Sequence, residues 1–180
     1  MIKRITVFCG SRTGQDPLYA EQAWRLGKLM ADKKIGLVYG GGNKGLMGVI
    51  ANAVMEAGGS VTGVIPKVLL QWEAQHEGIT ELLIVEDMHE RKKMLYELGD
   101  AAIILPGGNG TLDELFEMLT WNTLQIHNKK IAIINAGGYY DHLVAHINTM
   151  ADQGFLYDNW QERLLVCETA ETAITSLTSV

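Results

Sequence analysis

The chain contains only two cysteines, Cys9 and Cys167. That is too few for a disulfide scaffold or a cysteine metal cluster, and it suits a reducing compartment. No apolar run approaches the ~20 residues of a membrane helix. The chain enters a strand-like run at Ile2–Phe8 without a secretory pattern. These absences point to the cytoplasm and away from membranes. Positive charge is scarce too: 15 Lys and Arg against 21 Asp and Glu give a formal net charge of −6. Nucleic-acid surfaces are usually basic, so such a partner is not expected. The absence of a G-x-x-x-x-G-K-[ST] loop argues against a P-loop phosphotransferase. With no repeat, linker or low-complexity tract, residues 1–180 read as one domain. A chain of that size buries about 70% of its unfolded surface.

What the chain does have is alternation. Short apolar runs at Ile2–Phe8, Gly36–Tyr39, Ser60–Ile65, Leu82–Val85, Ala101–Leu105, Ile131–Asn135 and Leu164–Val166 read as strands. Amphipathic stretches at Pro17–Lys33, Gly45–Ala57, Met88–Leu98, Thr111–Ile126, Tyr140–Gln153 and Thr169–Leu177 read as helices. Continuous apolar strands separated by helices imply a Rossmann-like, doubly wound α/β fold. Its sheet is expected to be mostly parallel, of about seven strands, with helices on both faces. Pro66–Thr80 is the one long irregular stretch, either a cover over a site or a surface loop.

In such sheets ligands bind beyond the carboxyl ends of the strands, where the glycine-rich segments of this chain fall. The densest is Pro106-Gly107-Gly108-Asn109-Gly110-Thr111-Leu112-Asp113-Glu114, after the fifth apolar run and at the start of a helical pattern. Its glycines let backbone approach a ligand, and a helix start offers unpaired N–H groups and partial positive charge. Glu114 adds a carboxylate one turn in. The same residues also fit a ligand-free reading, because Thr111-x-x-Glu114 before an apolar run is a capping box.

Other strand ends carry weaker signals. Gly40-Gly41-Gly42-Asn43-Lys44-Gly45 formally contains G-x-G-x-x-G, but the next strand ends Val64-Ile65-Pro66-Lys67 without the carboxylate that would hold a ribose. NAD and FAD are therefore rejected, while a nucleotide-sized ligand is retained, with Gly41 and Gly42 as possible contacts. Ser11, after Cys9-Gly10, offers a hydroxyl; Cys9 itself reads as a small buried residue rather than a nucleophile. In Asp87–Met94 the helical wheel turns Arg91 toward the apolar face of Met88, Met94, Leu95 and Leu98. A guanidinium so placed needs a partner or an anion, unless it snorkels to water. Glu117 reads as a solvated helix charge. His142 and His146 have metal-ligand spacing but no third ligand, so they read as ordinary helix residues. Trp72, Met118 and Trp121 can stack on a purine or fill an interface.

Taken together, these segments resemble the LOG family, the cytokinin riboside 5′-monophosphate phosphoribohydrolases. The resemblance runs through Val7-Phe8-Cys9-Gly10-Ser11, Val38–Gly42 with Gly45-Leu46-Met47-Gly48, Gly63–Lys67, Met88-His89-Glu90-Arg91-Lys92, Pro106–Glu114, Thr120-Trp121 and Ile126-His127. It implies a Rossmann-like homodimer that splits a nucleoside monophosphate into free base and ribose 5-phosphate, without a metal or organic cofactor. The family's catalytic positions fall on Arg91 and Glu114. Its nucleotide-binding positions fall on Glu73, Lys92, Gly108, Asn109, Gly110, Thr111, Leu112, Asp113 and Thr120, with Ser11 and Met88 as further possible contacts. Asn109 stands where plant relatives usually carry an aromatic residue, and Leu70-Gln71-Trp72 is less typical of the family. The label "lysine decarboxylase" often attached to such proteins finds no support, since no lysine is marked as a Schiff-base partner. The alternative is a non-catalytic nucleotide or molybdenum-cofactor carrier on the same fold, which needs the glycine cradle but not the carboxylate.

Overall fold

Apolar runs of four to six residues form seven strands: β1 (Arg4–Phe8), β2 (Gly36–Tyr39), β3 (Val61–Pro66), β4 (Glu81–Val85), β5 (Ala101–Ile104), β6 (Ile131–Ile134) and β7 (Leu164–Cys167). The helices are α1 (Pro17–Asp32), α2 (Gly45–Glu56), α3 (Met88–Leu98), α4 (Asn109–Thr123), α5 (Asp141–Asp152) and α6 (Ala170–Thr178). The computed structural model describes residues 1–70 and 75–179. The strands hydrogen-bond in the order β4-β3-β2-β1-β5-β6-β7. Every pairing is parallel, so the expected mostly parallel sheet is wholly so. Element ends shift by up to three residues from the sequence reading. The shift with consequence is α4, which starts at Asn109 rather than Thr111.

Side chains alternate across each strand and feed two cores. Ile5, Val7, Leu37, Tyr39, Ile103, Ala132 and Ile134 face one, shared with Leu26 and Met30 of α1, Ile50 and Val54 of α2, and Ile174 of α6. Phe8, Val38, Val64, Ile104, Ile131 and Ile133 face the other, shared with Leu95 and Tyr96 of α3, Leu115 and Met118 of α4, and Ile147 of α5. A sheet covered on both faces has no polar side to alternate with. Its strands therefore read as unbroken apolar runs.

Strand order reverses at β1, and there the connections to opposite faces leave a crevice at the carboxyl edge. Pairing of Phe8 with Ile104 brings the segments after β1 and β5 out side by side. Gly10 N donates to Pro106 O at 3.0 Å, and Leu46 N donates to Gly10 O at 3.1 Å. Three strand-to-helix turns are thereby locked around Gly10. The connection from β3 to β4 contains a 3-10 turn at Lys67–Leu69. It returns to the same edge, where Gln75 bridges to Gly42 and His76 N donates to Gly41 O at 3.1 Å. The His76 ring accepts from Gly78 N at 3.1 Å and meets Asn52 Oδ1 at 2.8 Å.

Burial lowers the His76 and His127 imidazoles below their ordinary value of 6.5. As pH falls through that value the unfolded chain takes up protons first. The stability these groups confer is fully present above pH 6.5 and is lost on acidification. Asp100, in which hydrogen bonds from the Lys3 and Arg4 amides outweigh burial, is also held low but acts in the lower, carboxylate window. Thermal unfolding between about pH 7.5 and about pH 5.5 will show Tm falling with pH. The paired substitution His76→Gln and His127→Gln will flatten that slope; an unchanged slope rules these imidazoles out.

Candidate active site

At the switch point lies a cleft of about 270 Å³. It is lined by Val7 to Ser11 at the end of β1 and just beyond it, Gly40 and Met47 around the β2–α2 turn, Arg91 of α3, and Gly108, Asn109, Gly110, Thr111 and Glu114 at the start of α4. Residues far apart in sequence, Ser11, Arg91 and Glu114, therefore meet at one place. A neighbouring hollow of about 260 Å³ shares Gly10, Ser11 and Gly108 and continues to Arg12, Tyr19 and Tyr139.

The start of α4 settles the ambiguity of its motif. Its N-cap is Gly108, which has no side chain, and Thr111 sits inside the first turn. The capping-box reading is therefore excluded. The amides of Asn109, Gly110 and Thr111 precede the first possible intrahelical acceptor, and Leu112 N is the first to find one, Gly108 O at 3.2 Å. These N–H groups and the positive end of the helix dipole form an anion site. Thr111 is buried against the turn, and a Cβ on Gly107 would stand 2.1 Å from its Oγ1. From behind, Tyr139 donates to Gly107 O at 2.7 Å and Tyr140 to Leu105 O at 2.8 Å. These two tyrosines, from the turn after β6, carry no local sequence signal for the site.

Arg91 is 7% exposed. It does not snorkel to water, because main-chain carbonyls hold its head inside. Nε donates to Val64 O at 3.1 Å and Nη2 to Gly40 O at 3.0 Å, while Nη1 lies 3.9 Å from Met88 Sδ. A guanidinium has five N–H donors in a rigid fork, and this one lines the cleft while the carbonyls of Val64 and Gly40 fix it. Glu114 lines the same cleft. Cys9 lies beneath them, where burial and then the Glu114 charge push its thiol well above the ordinary range. It is therefore a neutral packing group and not a nucleophile.

Some expected site residues fall elsewhere. Lys92 and Asp113 are paired with each other at 3.2 Å beside the cleft. Leu112 packs against the second core. Thr120 lies on an apolar groove with Phe116, Leu124 and Tyr157, away from Arg91. Gly41 and Gly42 are buried in the β2–α2 turn. Met118 is core, and Trp121 packs edge-on to Tyr96 with centroids 5.1 Å apart. His142 and His146 are exposed on α5. Glu73 and Trp72 lie outside the described residues. Glu117 is a correction: it is held by Lys92 at 2.7 Å and by the Tyr96 hydroxyl at 2.8 Å, not simply solvated.

A wholly parallel doubly wound sheet, with an arginine and a glutamate-bearing helix start brought together at its switch point, defines a Rossmann-like α/β protein. Residues 47–177 match the family model described as possible lysine decarboxylase. A cytokinin riboside 5′-monophosphate phosphoribohydrolase of Rhodococcoides fascians is 46% identical over 98% of this chain and 90% of its own length. One from Arabidopsis thaliana is 48% identical over 86% of this chain and 71% of its own. The chain belongs to this family, the LOG proteins. Among solved structures, a molybdenum cofactor binding protein of Rippkaea orientalis superposes with TM-score 0.74 at 19% identity, covering 98% of this chain and 95% of that one. The molybdenum cofactor carrier protein of Chlamydomonas reinhardtii gives 0.74 at 18%, covering 98% and 96%. At that identity the likeness is one of fold.

The close fit around Arg91 is directly testable. A Cβ on Gly40 would stand 2.3 Å from Nη2 and 3.2 Å from Met47 Sδ. Gly40→Ala is expected to displace the guanidinium and lower phosphoribohydrolase turnover by about 10²-fold, as a misplacement of about 1 Å can. A crystal structure of the variant will show the shift. Full activity with Arg91 unmoved would remove the role given to this contact.

Proposed function

We propose that this protein hydrolyses the N-glycosidic bond of nucleoside 5′-monophosphates, such as N6-isopentenyladenosine monophosphate or AMP, to free base and ribose 5-phosphate. The observation that carries this reading is the convergence of Arg91, Glu114 and the uncapped start of α4 on one cleft. The relatives' names supply the reaction. The 5′-phosphate sits on the N–H groups of Gly108, Gly110 and Thr111. Departure of the base builds positive charge on the ribose. Glu114 stabilises that charge and orients or deprotonates the attacking water, a role usually worth about 10²–10⁴ in rate. The water's hydroxyl ends on the anomeric carbon and its proton on the base. Arg91 positions Glu114 and the ribose or phosphate. Neither metal nor organic cofactor enters this scheme.

The other descriptions fit less well. A pyridoxal-phosphate decarboxylase needs a lysine as Schiff-base partner, and among the described residues none of those lining the cleft is a lysine. A carrier like the molybdenum-cofactor proteins needs the glycine cradle but gives Glu114 and the buried Arg91 nothing to do. A homodimer is part of the proposal. The face of α4 that carries Thr120 is apolar and continues to exposed Leu124, Phe155 and Tyr157. Thr120 can meet a nucleotide only across such an interface. The two free, buried cysteines accord with a cytoplasmic address.

Purified protein incubated with AMP and, separately, with isopentenyladenosine monophosphate will release free base and ribose 5-phosphate, resolved by chromatography. Glu114→Gln will lose about 10²–10⁴ of the rate while keeping the fold. Free nucleosides will be poor substrates, because remote phosphate binding helps orient the reacting centre. Intact nucleotides with clear binding would mean a carrier, and near-normal turnover in Glu114→Gln would remove Glu114 from the mechanism.

A further inference from the structure

The turn after β2 carries two adjacent carbonyls that go to different partners. Gly41 lies between them with φ of +80°, a conformation that glycine takes readily. Gly40 O receives Arg91 Nη2 at 3.0 Å, and Gly41 O receives His76 N at 3.1 Å. Gln75 adds an antiparallel bridge to Gly42. The carbonyl that fixes the guanidinium and the carbonyl fixed by residue 76 are therefore neighbours in the chain. Gly41 also packs closely on β3. A Cβ on Gly63 would stand 2.8 Å from Gly41 Cα, and the next residue, Val64, supplies the other carbonyl on Arg91.

His76 does more than lend its amide. It is 8% exposed, and both ring nitrogens are engaged. Nδ1 accepts from Gly78 N at 3.1 Å, so the ring proton sits on Nε2, which donates to Asn52 Oδ1 at 2.8 Å. Burial lowers the imidazole below its ordinary 6.5 and keeps it neutral at pH 7, as the bond from Gly78 requires. Asn52 belongs to α2, the helix whose Met47 lines the cleft. Met47 Sδ and Arg91 Nη2 are the side-chain atoms that a Cβ on Gly40 would meet, at 3.2 and 2.3 Å. One residue thus ties the returning chain to the turn through its amide and to α2 through its ring. A buried network in which each member is bonded rigidifies its surroundings.

His76 itself is not among the residues that line the cleft. We propose that His76 is a positioning residue: through Gly41 and Asn52 it fixes the β2–α2 turn, so that Gly40 O holds the Arg91 guanidinium in place for reaction. It acts through Arg91 and not on the nucleotide. This rests on the phosphoribohydrolase reading.

The experiment compares wild type with His76→Leu, His76→Gln, Asn52→Leu and the double variant His76→Leu/Asn52→Leu, using AMP and steady-state kinetics. His76→Leu and Asn52→Leu are each expected to lower kcat by about 10–100-fold with KM within about 3-fold. His76→Gln, whose amide donates to Asn52 as Nε2 does, keeps most of the rate. The double variant will be no worse than the poorer single one, because both break one tie. Asn52 is exposed, so Asn52→Leu decides the matter if His76→Leu is unfolded at the assay temperature. Crystal structures of the variants will show Gly40 O and the guanidinium farther apart than 3.0 Å. A raised KM with unchanged kcat would place His76 in substrate binding and overturn the proposal. Wild-type kinetics in both leucine variants, or a loss of rate with Arg91 unmoved, would overturn it too. If wild type releases no base from any nucleotide, the functional reading fails on its own. The crystal structures then decide alone: Arg91 displaced in Asn52→Leu supports the brace, and Arg91 unmoved overturns it.

Discussion

Arg91 directs its guanidinium onto the main-chain carbonyls of Val64 and Gly40, and the rest of the site is arranged around that contact. Removing a cation from water is costly unless hydrogen bonds replace the lost solvent. Strand-end carbonyls are well suited to do so, because the sheet holds them. Val64 is registered against Leu83 on one side, and Tyr39, just before Gly40, against Gly63. The cation therefore rests on an acceptor set that does not have to reorganise when charge changes in the cleft, which is the condition for electrostatic preorganisation. Several sequence features follow. Residue 40 has no room for a side chain. Helix α3 must start at the carboxyl edge, and Asp87 caps it by accepting from Glu90 N at 2.9 Å.

Much of this was legible in the sequence. All seven strands and the six α-helices were readable, because two buried faces make a strand apolar throughout and the helices between them amphipathic. Wheel geometry placed Arg91 inward, and the glycine-rich motif marked the start of α4. What the residues alone left open was how the inward charge is satisfied. Acceptors on the main chain, such as Gly40 O and Val64 O, leave no trace in residue type. The capping-box ambiguity had the same source: a three-residue difference in where the N-cap falls, Gly108 or Thr111, decides whether Thr111 caps the helix or lies inside it, and helix ends are the least determined feature of a pattern. Tyr139 and Tyr140 were invisible because they reach the site by tertiary folding from the turn after β6. Glu117 was misread for a similar reason. A carboxylate on a helix looks solvated until the opposing helix is seen to supply Lys92 and Tyr96.

The fold by itself leaves function open. Carriers of molybdenum cofactor share this architecture at TM-score 0.74 with 18–19% identity, and function resides in sites carried on folds. The glycine turns and the helix start could serve any phosphorylated ligand. An inward arginine on a rigid acceptor set, sharing one cleft with a glutamate, is a more specific requirement. It is useful only if charge develops within that cleft.

The order of charges along α4 gives that requirement a direction. In the proposed mode the phosphate occupies the N–H groups of Gly108, Gly110 and Thr111, where the helix dipole is strongest. Glu114 lies deeper, about one turn or ~5.4 Å along the axis, which is the scale of the span from a 5′-phosphorus to the anomeric carbon. One helix thus supports two anions without placing them together, the bound phosphate at its tip and the carboxylate behind it. Arg91 lines the cleft that holds that second position. A nucleotide seated by its phosphate would carry its glycosidic bond to Glu114. A nucleoside lacking the phosphate would have the same carboxylate available but nothing to set its register.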